Sequence, residues 1–239
     1  MTDLADAPET GAGPRTIPLP RRLLAEFIGS AFLLIAVVGS GIMASRLSSG
    51  DVGLQLLENA AATGAALIAL ILMFGGLSGA HFNPIVTVVD RLFGTIDNRS
   101  AALYVVVQTA GACVGVMLAN LMFELPAVNI STKVRSSGGL WLSEVIATLG
   151  LLLVIHGCVR SGRADVVAFA VGLWIGGAYF FTSSTSFANP AVTIARTLSD
   201  TFTGIEPSSA PMFIVMQLLG CVIAFVVIRF LYPNSKAGG

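Results

Sequence analysis

A short tract containing asparagine and proline occurs twice in this chain, both times within strongly apolar sequence. The first copy is HFNPIVT at residues 81–87, and the second is FANPAVT at residues 187–193. Asparagine accepts a hydrogen bond from a free backbone N–H at a helix N-cap, and proline sets φ in the first helical turn. Each tract therefore predicts a helix that begins at its Asn-Pro pair, where an apolar segment would otherwise continue without a break.

The composition indicates an integral membrane protein. Hydrophobic residues make up 55% of the 239 residues and charged residues only 11%, which is too apolar for a soluble chain of this length. Apolar runs of about 20 residues are long enough to cross about 30 Å of hydrocarbon. Six such runs lie near residues 22–45, 54–76, 100–123, 139–159, 165–184 and 210–231. An even number of crossings places both termini on one side, and the excess of Arg and Lys there predicts that this side is cytoplasmic.

The two halves of the chain repeat one order of features. Residues 21–123 contain Glu26 in the first span, then an Asn-Pro tract, then Gln-x-x-Gly at residues 108–111. Residues 139–232 repeat this order with Glu144, the second Asn-Pro tract and Gln-x-x-Gly at residues 217–220. Because each half has three spans, an odd number, the halves enter the bilayer in opposite senses, which predicts an inverted repeat with a site near the midplane.

Tails flank this predicted domain of residues 21–232. Residues 1–20 are polar and contain four prolines, so we expect a disordered cytoplasmic tail. Residues 233–239 form a short second tail, which we also expect to be cytoplasmic.

Each Asn-Pro pair is followed by an apolar run too short to cross a membrane. The runs end near Phe93 and Leu198, so each is a helix of about 15 Å at 1.5 Å per residue. Two such half-helices entering from opposite faces together match the hydrocarbon thickness. Non-helical backbone at that depth is tolerated where it lines a wet cavity. The predicted fold is therefore an all-α membrane protein with six transmembrane helices and two re-entrant half-helices around a pore. Two helix N-termini, each with about half a positive charge, would repel cations there.

These features resemble the major intrinsic proteins, the family of aquaporins and aquaglyceroporins. The resemblance covers nearly all of the chain after residue 20. The residues on which it rests are AEFIG at 25–29, SGAHFNP at 78–84, Glu144 and NPA at 189–191. It implies an aquaporin-like passive channel for small uncharged solutes. It also implies a homotetramer with one pore per subunit in the inner membrane of a bacterium. The resemblance implies no enzyme activity and no cofactor, metal or nucleic-acid partner.

The resemblance assigns roles to individual residues. Asn83 and Asn189 are expected to face the lumen and donate N–H groups to solutes, although they could also simply cap helices. Glu26 and Glu144 are expected to accept backbone hydrogen bonds from the two re-entrant loops, with a proton relay as the alternative. His81 is expected to line the cytoplasmic half of the pore, or to be a structural histidine. The full pore motifs are Asn83, Pro84, Ile85 and Asn189, Pro190, Ala191.

Selectivity is where this sequence departs from the family. Family members usually carry arginine three positions after the second motif's Asn, where this chain has Val192. Arg196 lies one helical turn nearer the outer surface, and we do not assign it to the constriction. Family spacing adds Thr63, Gly177 and Ser186 to the constriction.

This small, uncharged set predicts a wide opening. The expected solutes are glycerol-like polyols, urea and neutral metalloid hydroxides such as arsenous acid, together with water. The valine resembles bacterial metalloid-conducting members of the family, and a water-selective aquaporin is the alternative. Ile85 is a second departure, because family members have alanine there. The isoleucine either narrows the lumen or packs behind the first loop.

Two other function classes fit the sequence less well. GLSG at residues 76–79 matches a serine-protease motif, with Ser78 as nucleophile and His156 as base, but this reading leaves the second Asn-Pro tract unexplained. An ion-coupled transporter also uses inverted repeats. Ion coupling normally needs carboxylates or carbonyl-rich helix C-termini at the site, whereas here two helix N-termini are expected to meet. The three cysteines have no metal-site spacing and are interpreted as packing residues: Cys113, Cys158 and Cys221.

Overall fold

A computed structural model describes residues 17–233, and these contain eight α-helices. Six are long: α1 (Leu19–Leu47), α2 (Val52–Ser78), α4 (Asn98–Met122), α5 (Gly138–Arg160), α6 (Val167–Phe181) and α8 (Ala210–Leu231). Two are short: α3 (Pro84–Phe93) and α7 (Pro190–Ala195), which continues as a 3₁₀ turn over Arg196–Leu198. The predicted tails lie largely outside the described residues, and α1 begins at Leu19, inside the segment predicted to be disordered.

The predicted architecture is confirmed. Six helical segments are long and apolar enough to cross a membrane, and α3 and α7 are the two short helices predicted after the Asn-Pro pairs. The face of the bundle where α1 begins and α8 ends is called the near face, and the opposite face the far face. From the middle of the bundle, α3 runs toward the near face and α7 toward the far face. The apolar helices make this an integral membrane protein.

Both short helices begin as the Asn-Pro chemistry predicts. The side-chain oxygen of Asn83 accepts a hydrogen bond from the N–H of Ile85 at 2.9 Å, and that of Asn189 accepts one from Ala191 at 3.0 Å. Proline occupies the first turn of each helix, where its missing N–H leaves no partner unsatisfied.

Each Gln-x-x-Gly motif lies at a close approach between two helices of one repeat. A Cβ placed on Gly111 of α4 would lie 2.2 Å from the carbonyl oxygen of Phe27 on α1. A Cβ on Gly220 of α8 would lie 2.7 Å from the carbonyl oxygen of Val145 on α5. Only glycine permits this backbone contact, which is a common way to pack helices in lipid. The close crossing brings the glutamine one turn away within reach of the neighbouring helix.

Candidate functional site

A cavity of about 770 Å³ runs through the bundle, from Arg160 and Asp165 at the near face to Arg196 toward the far face. Four spanning helices contribute apolar side chains spaced one turn apart to its wall: Leu33, Val37, Leu67, Ile71, Leu151, Ile155, Val171 and Ile175. The polar groups in the wall come mainly from the two re-entrant loops and the short helices that follow them. The cavity therefore has an apolar side and a polar side along one path.

The two motif asparagines meet in the middle of this cavity. Asn83 donates a side-chain hydrogen bond to the carbonyl oxygen of Ala188 at 2.8 Å, and Asn189 donates one to the carbonyl oxygen of Phe82 at 2.8 Å. Each loop is thus joined to the other by the opposite asparagine. An asparagine amide has two N–H groups, so one remains on each side chain. Both side chains line the cavity, where those N–H groups can meet a solute.

The loops before the asparagines have a backbone conformation that non-glycine residues rarely adopt. The φ angles of Ala80 and Phe82 are +50° and +48°, and those of Ser186 and Ala188 are +51° and +47°. The left-handed region is unfavourable for L-residues unless surrounding contacts hold it. Positive φ angles occur one and three residues before each asparagine, so this loop conformation is common to the two repeats.

Glu26 holds the first loop. Its carboxylate is fully buried and accepts hydrogen bonds from the N–H groups of His81 at 3.0 Å and Phe82 at 2.8 Å. It also accepts from the hydroxyl of Ser78 and from the side-chain amide of Gln108, at 2.5 Å and 2.8 Å. These donors replace the hydration that a buried carboxylate loses. Glu26 therefore joins α1 to the first loop and to α4.

Glu144 has the same contacts in the second repeat. It accepts hydrogen bonds from the N–H groups of Phe187 and Ala188, both at 2.9 Å, and from the side-chain amide of Gln217 at 2.7 Å. Gln217 also donates to Thr193 at 2.9 Å, as Gln108 does to its counterpart Thr87 at 3.0 Å. Gln-x-x-Gly therefore has two functions, because the glycine permits close approach and the glutamine binds the glutamate.

His81 lines the near half of the cavity and binds the helix that follows it. One ring nitrogen lies 3.0 Å from the hydroxyl of Thr87, and the other lies 2.8 Å from the carboxylate of Asp90. His156 on α5 lies beyond this pair, with Nε2 3.8 Å from Asp90. Sequence reasoning did not identify Asp90, which also lines the cavity.

Ile85 packs away from the cavity. Its side chain is 1% exposed and belongs to an apolar cluster between α3, α5 and α8. The other buried members of this cluster are Val86, Val89, Leu152, Cys221, Ala224 and Ile228. Ile85 therefore packs behind the first loop and does not narrow the lumen.

Toward the far face, Thr63, Ser186 and Val192 line the cavity, but Gly177 does not. The cavity-lining residues Val171, Ile175 and Tyr179 follow one stripe of α6. Gly177 lies two residues from Ile175 and from Tyr179, which is about 200° around the helix, and it is exposed on the opposite side. The placement of Gly177 at the constriction is therefore corrected. Tyr179 occupies that part of the wall, with its hydroxyl 3.3 Å from that of Thr63.

The physical reason for this correction is helix packing. Gly177 was assigned to the constriction by its sequence distance from Asn189. That distance spans the loop after α6, so the assignment assumes a particular rotation of α6 about its axis. That rotation is determined by the contact with α2, where a Cβ on Gly172 would lie 2.7 Å from the carbonyl oxygen of Gly64. With Gly172 facing α2, Tyr179 faces the cavity and Gly177 faces outward.

Arg196 also lines the cavity, which residue spacing alone did not assign. Its side chain is buried, with the guanidinium carbon 3.5 Å from the centroid of the Phe187 ring. Arg135, from the segment between α4 and α5, lies 5.1 Å from the centroid of the same ring. Lys133 lies nearby. The loss of hydration around the Lys133 ammonium, together with the charges of Arg135 and Arg196, lowers the pKa of Lys133 to about 8. This end of the bundle therefore concentrates positive charge.

The serine-protease arrangement is not assembled. The hydroxyl of Ser78 donates to Glu26 at 2.5 Å, and the N–H of Ala80 donates to it. His156 is directed at Asp90 instead. Within residues 17–233, all three cysteines are free, with no group of ligands that could hold a metal.

Comparisons with known proteins agree with this geometry. The chain matches the family described as Major intrinsic protein over residues 14–183 and 159–239. It is 49% identical to the aquaglyceroporin AqpS of Rhizobium meliloti (strain 1021), over 91% of this chain and 93% of that protein. It is 28% identical to a probable NIP-type aquaporin of Nicotiana alata, over 90% of this chain and 79% of that protein.

A solved structure shares the fold. The X-ray structure of the aquaglyceroporin from Plasmodium falciparum has a TM-score of 0.68 at 24% identity, covering 91% of this chain and 96% of that chain. Members of the matched family are channels, not enzymes. Because the family model matches residues 14–183 and 159–239 of a bundle with six spanning helices and two half-helices, the chain is a member of the major intrinsic protein family.

Proposed function

We propose that the protein is a passive channel for small uncharged solutes and that it conducts glycerol-like polyols, urea and neutral metalloid hydroxides such as arsenous acid, as well as water. One observation carries this proposal. A single cavity extends along the bundle, and the N-termini of α3 and α7 meet in it at Asn83 and Asn189. Converging positive helix ends repel cations, while amide N–H groups bind neutral solutes.

The chemistry of the cavity wall supports a carbon-containing solute. The apolar side, with Leu67, Ile71 and Val171 among its members, accommodates C–H groups. The opposite side presents the asparagine amides. Ser186 also lines this side, and its hydroxyl oxygen is buried without a partner in the described chain. A polyol matches both sides at once, because its hydroxyl groups and its carbon chain lie on opposite edges.

The absence of arginine at position 192 supports the wide type of channel. Val192 presents a short, uncharged side chain to the cavity, and the hydroxyl of Tyr179 is directed at Thr63. The likeness to AqpS, which is described as an aquaglyceroporin, supports the same assignment. A water-selective aquaporin remains the second candidate, because Tyr179 adds an aromatic ring to a wall that the sequence predicted to be small.

Light scattering of proteoliposomes tests the proposal. Under gradients of water, glycerol or urea, and with arsenite uptake measured alongside, we expect permeabilities at least about tenfold above those of empty vesicles. Movement must follow the concentration gradient, because passive channels do not accumulate solute. Water flux without glycerol or urea flux would identify a water-selective channel. Accumulation against a gradient would identify an ion-coupled transporter and contradict the proposal.

A pair of variants on α6 tests which side chain lines the pore. Gly177→Phe is expected to leave glycerol flux within about twofold of the unmodified protein, because a ring there faces outward. Tyr179→Ala is expected to raise glycerol flux severalfold, because it removes an aromatic ring from the cavity wall. Both rates come from the same light-scattering assay. Loss of flux in Gly177→Phe with no change in Tyr179→Ala would restore Gly177 to the constriction.

The proposed setting follows from the positions of basic residues and from the family. We propose that the near face is cytoplasmic, so that both termini lie inside the cell, and that the channel is a homotetramer in a bacterial inner membrane. Arg21, Arg91 and Arg160 lie toward the near face, where the positive-inside rule places them. Labelling of single cysteines introduced at the near face and at the far face, in intact cells, tests this orientation.

A further inference from the structure

Two charged residues occupy equivalent positions in the two repeats. Asp90 lies seven residues after Asn83, and Arg196 lies seven residues after Asn189. Both line the same cavity, Asp90 from the end of α3 toward the near face and Arg196 from the end of α7 toward the far face. The inverted repeat thus places opposite charges at two equivalent positions along one passage.

Each charge is positioned by the ring two residues before its asparagine. The carboxylate of Asp90 is 2.8 Å from a ring nitrogen of His81. The guanidinium carbon of Arg196 lies 3.5 Å from the centroid of Phe187, a cation–π contact. Asp90 and Arg196 occupy equivalent positions of the two repeats, and each contacts the equivalent ring of its own loop. The opposite charges therefore come from the identity of the side chains.

The guanidinium of Arg196, a cavity-lining residue, retains unused donors. Its Nε donates to the carbonyl oxygen of Thr203, which uses one of five N–H donors. The ion pairs within residues 17–233 are those of Asp90 with the two histidines, so no described carboxylate lies within ion-pair distance of Arg196. The nearby hydroxyl of Ser186 is buried and has no partner in the described chain. The far half of the cavity therefore contains a buried cation with unused donors.

Arg135 differs from Arg196 although it contacts the same ring. Arg135 donates to the carbonyl oxygens of Gly204 at 2.8 Å and Ser184 at 3.4 Å, and it is not among the residues that line the cavity. It supports the loops from behind. Of these two arginines, Arg196 is the one that lines the passage.

We propose that Arg196 is a specificity-determining residue of the channel, which excludes cations at the far half of the pore and donates hydrogen bonds to the hydroxyl groups of neutral solutes. This inference rests on the proposed function, since it needs a passage through which solutes move. An unpaired positive charge in a narrow, poorly hydrated space opposes a cation far more strongly than it would in water. The side chain at position 192 is uncharged, and Arg196 supplies a positive charge from one helical turn farther along the chain.

Replacing Arg196 by methionine and by lysine tests this proposal. Arg196→Met keeps a long apolar stem but removes the charge, and Arg196→Lys keeps the charge. In proteoliposomes we expect Arg196→Met to raise potassium and methylammonium flux roughly 10- to 100-fold, with glycerol flux within about threefold of the unmodified protein. Arg196→Lys is expected to exclude both cations as well as the unmodified protein does.

Arg46→Met is the matched control. Arg46 also stacks on a phenylalanine, 5.1 Å from the centroid of Phe123, and donates to a backbone carbonyl. It is exposed and does not line the cavity, so its replacement is expected to leave cation exclusion unchanged.

The glycerol measurement separates the possible failures. An Arg196→Met protein that conducts glycerol but still excludes both cations would overturn the role of Arg196 and leave the proposed function intact. Equal cation leak in Arg196→Met and Arg46→Met would also overturn it, because the effect would not depend on the cavity. Absence of glycerol flux in the unmodified protein would instead refute the proposed function.

Discussion

Glu26→Ala is expected to abolish solute flux and to destabilise the protein by about 3 kcal/mol or more, since each buried donor left without a partner costs about 1–3 kcal/mol. The substitution leaves the N–H groups of His81 and Phe82 without an acceptor and removes one of the two acceptors of the Gln108 amide. It also releases a loop in which Phe82 has a φ of +48°. Without the carboxylate, that loop relaxes toward ordinary backbone angles and Asn83 leaves the cavity.

Thermal unfolding in detergent and glycerol flux in proteoliposomes measure this effect together. Glu26→Gln is expected to fall between the unmodified protein and Glu26→Ala, because the amide keeps one oxygen acceptor but turns an N–H toward the donors. Glu58→Ala is the control, since Glu58 is a partly buried glutamate that accepts a hydrogen bond from Ser48 and contacts neither loop. Stability and flux of Glu26→Ala equal to those of Glu58→Ala would rule out a supporting role for Glu26.

Val192→Arg is expected to reduce glycerol and urea flux at least about tenfold while water flux stays within about threefold. Val192 lines the cavity one turn from Arg196, so a long charged side chain there narrows the passage. The new guanidinium also has a free acceptor nearby in the hydroxyl of Ser186, which would hold it across the opening. Water is small enough to pass the remaining space, whereas a polyol is not.

Two further variants separate size from charge in this prediction. Val192→Met adds length without charge and is expected to reduce glycerol flux less than arginine does. Val192→Arg combined with Arg196→Met removes the repulsion between two neighbouring guanidinium groups, so it is expected to recover folding if the single variant is poorly produced. Light scattering with water, glycerol and urea gives all the rates. Equal inhibition of the three, or none, would show that position 192 does not select by size.

The repeat explains how one set of contacts supports both halves of the pore. Glu26 and Glu144 bind equivalent loops, and Asn83 and Asn189 each bind the opposite loop. The two repeats differ in the side chains that line the cavity. For example, His81 in the first repeat and Phe187 in the second occupy equivalent positions. Duplication therefore preserves the framework, and the wall residues differ between the near and far halves.

Sequence reasoning was most successful where the signal was local or periodic. Apolar runs predicted the six spanning helices, and the Asn-Pro pairs predicted the starts of α3 and α7. These features depend on the chemistry of a few neighbouring residues, which the chain displays directly. The contacts of Glu26 and Glu144 were also anticipated, because a buried carboxylate requires donors and the family resemblance pointed to the loops.

Sequence reasoning was wrong where a side chain's direction depended on helix rotation. Gly177 was placed at the constriction by counting from Asn189, but the contact of Gly172 with α2 turns Tyr179 inward instead. Asp90 was missed, although its distance from Asn83 equals that of Arg196 from Asn189. Comparing equivalent positions of the two repeats would have revealed this charged pair.

The sequence by itself determined that this chain crosses a membrane six times, that its halves are inverted copies and that two short helices begin at asparagine. Those properties follow from hydrophobicity, from an odd number of spans per repeat and from helix capping. Only the tertiary structure decided which groups form the cavity wall: Tyr179 rather than Gly177, with Asp90 in its near half and Arg196 in its far half. The reason is that a wall is made by side chains from distant segments, and their orientation depends on how glycine contacts let the helices pack.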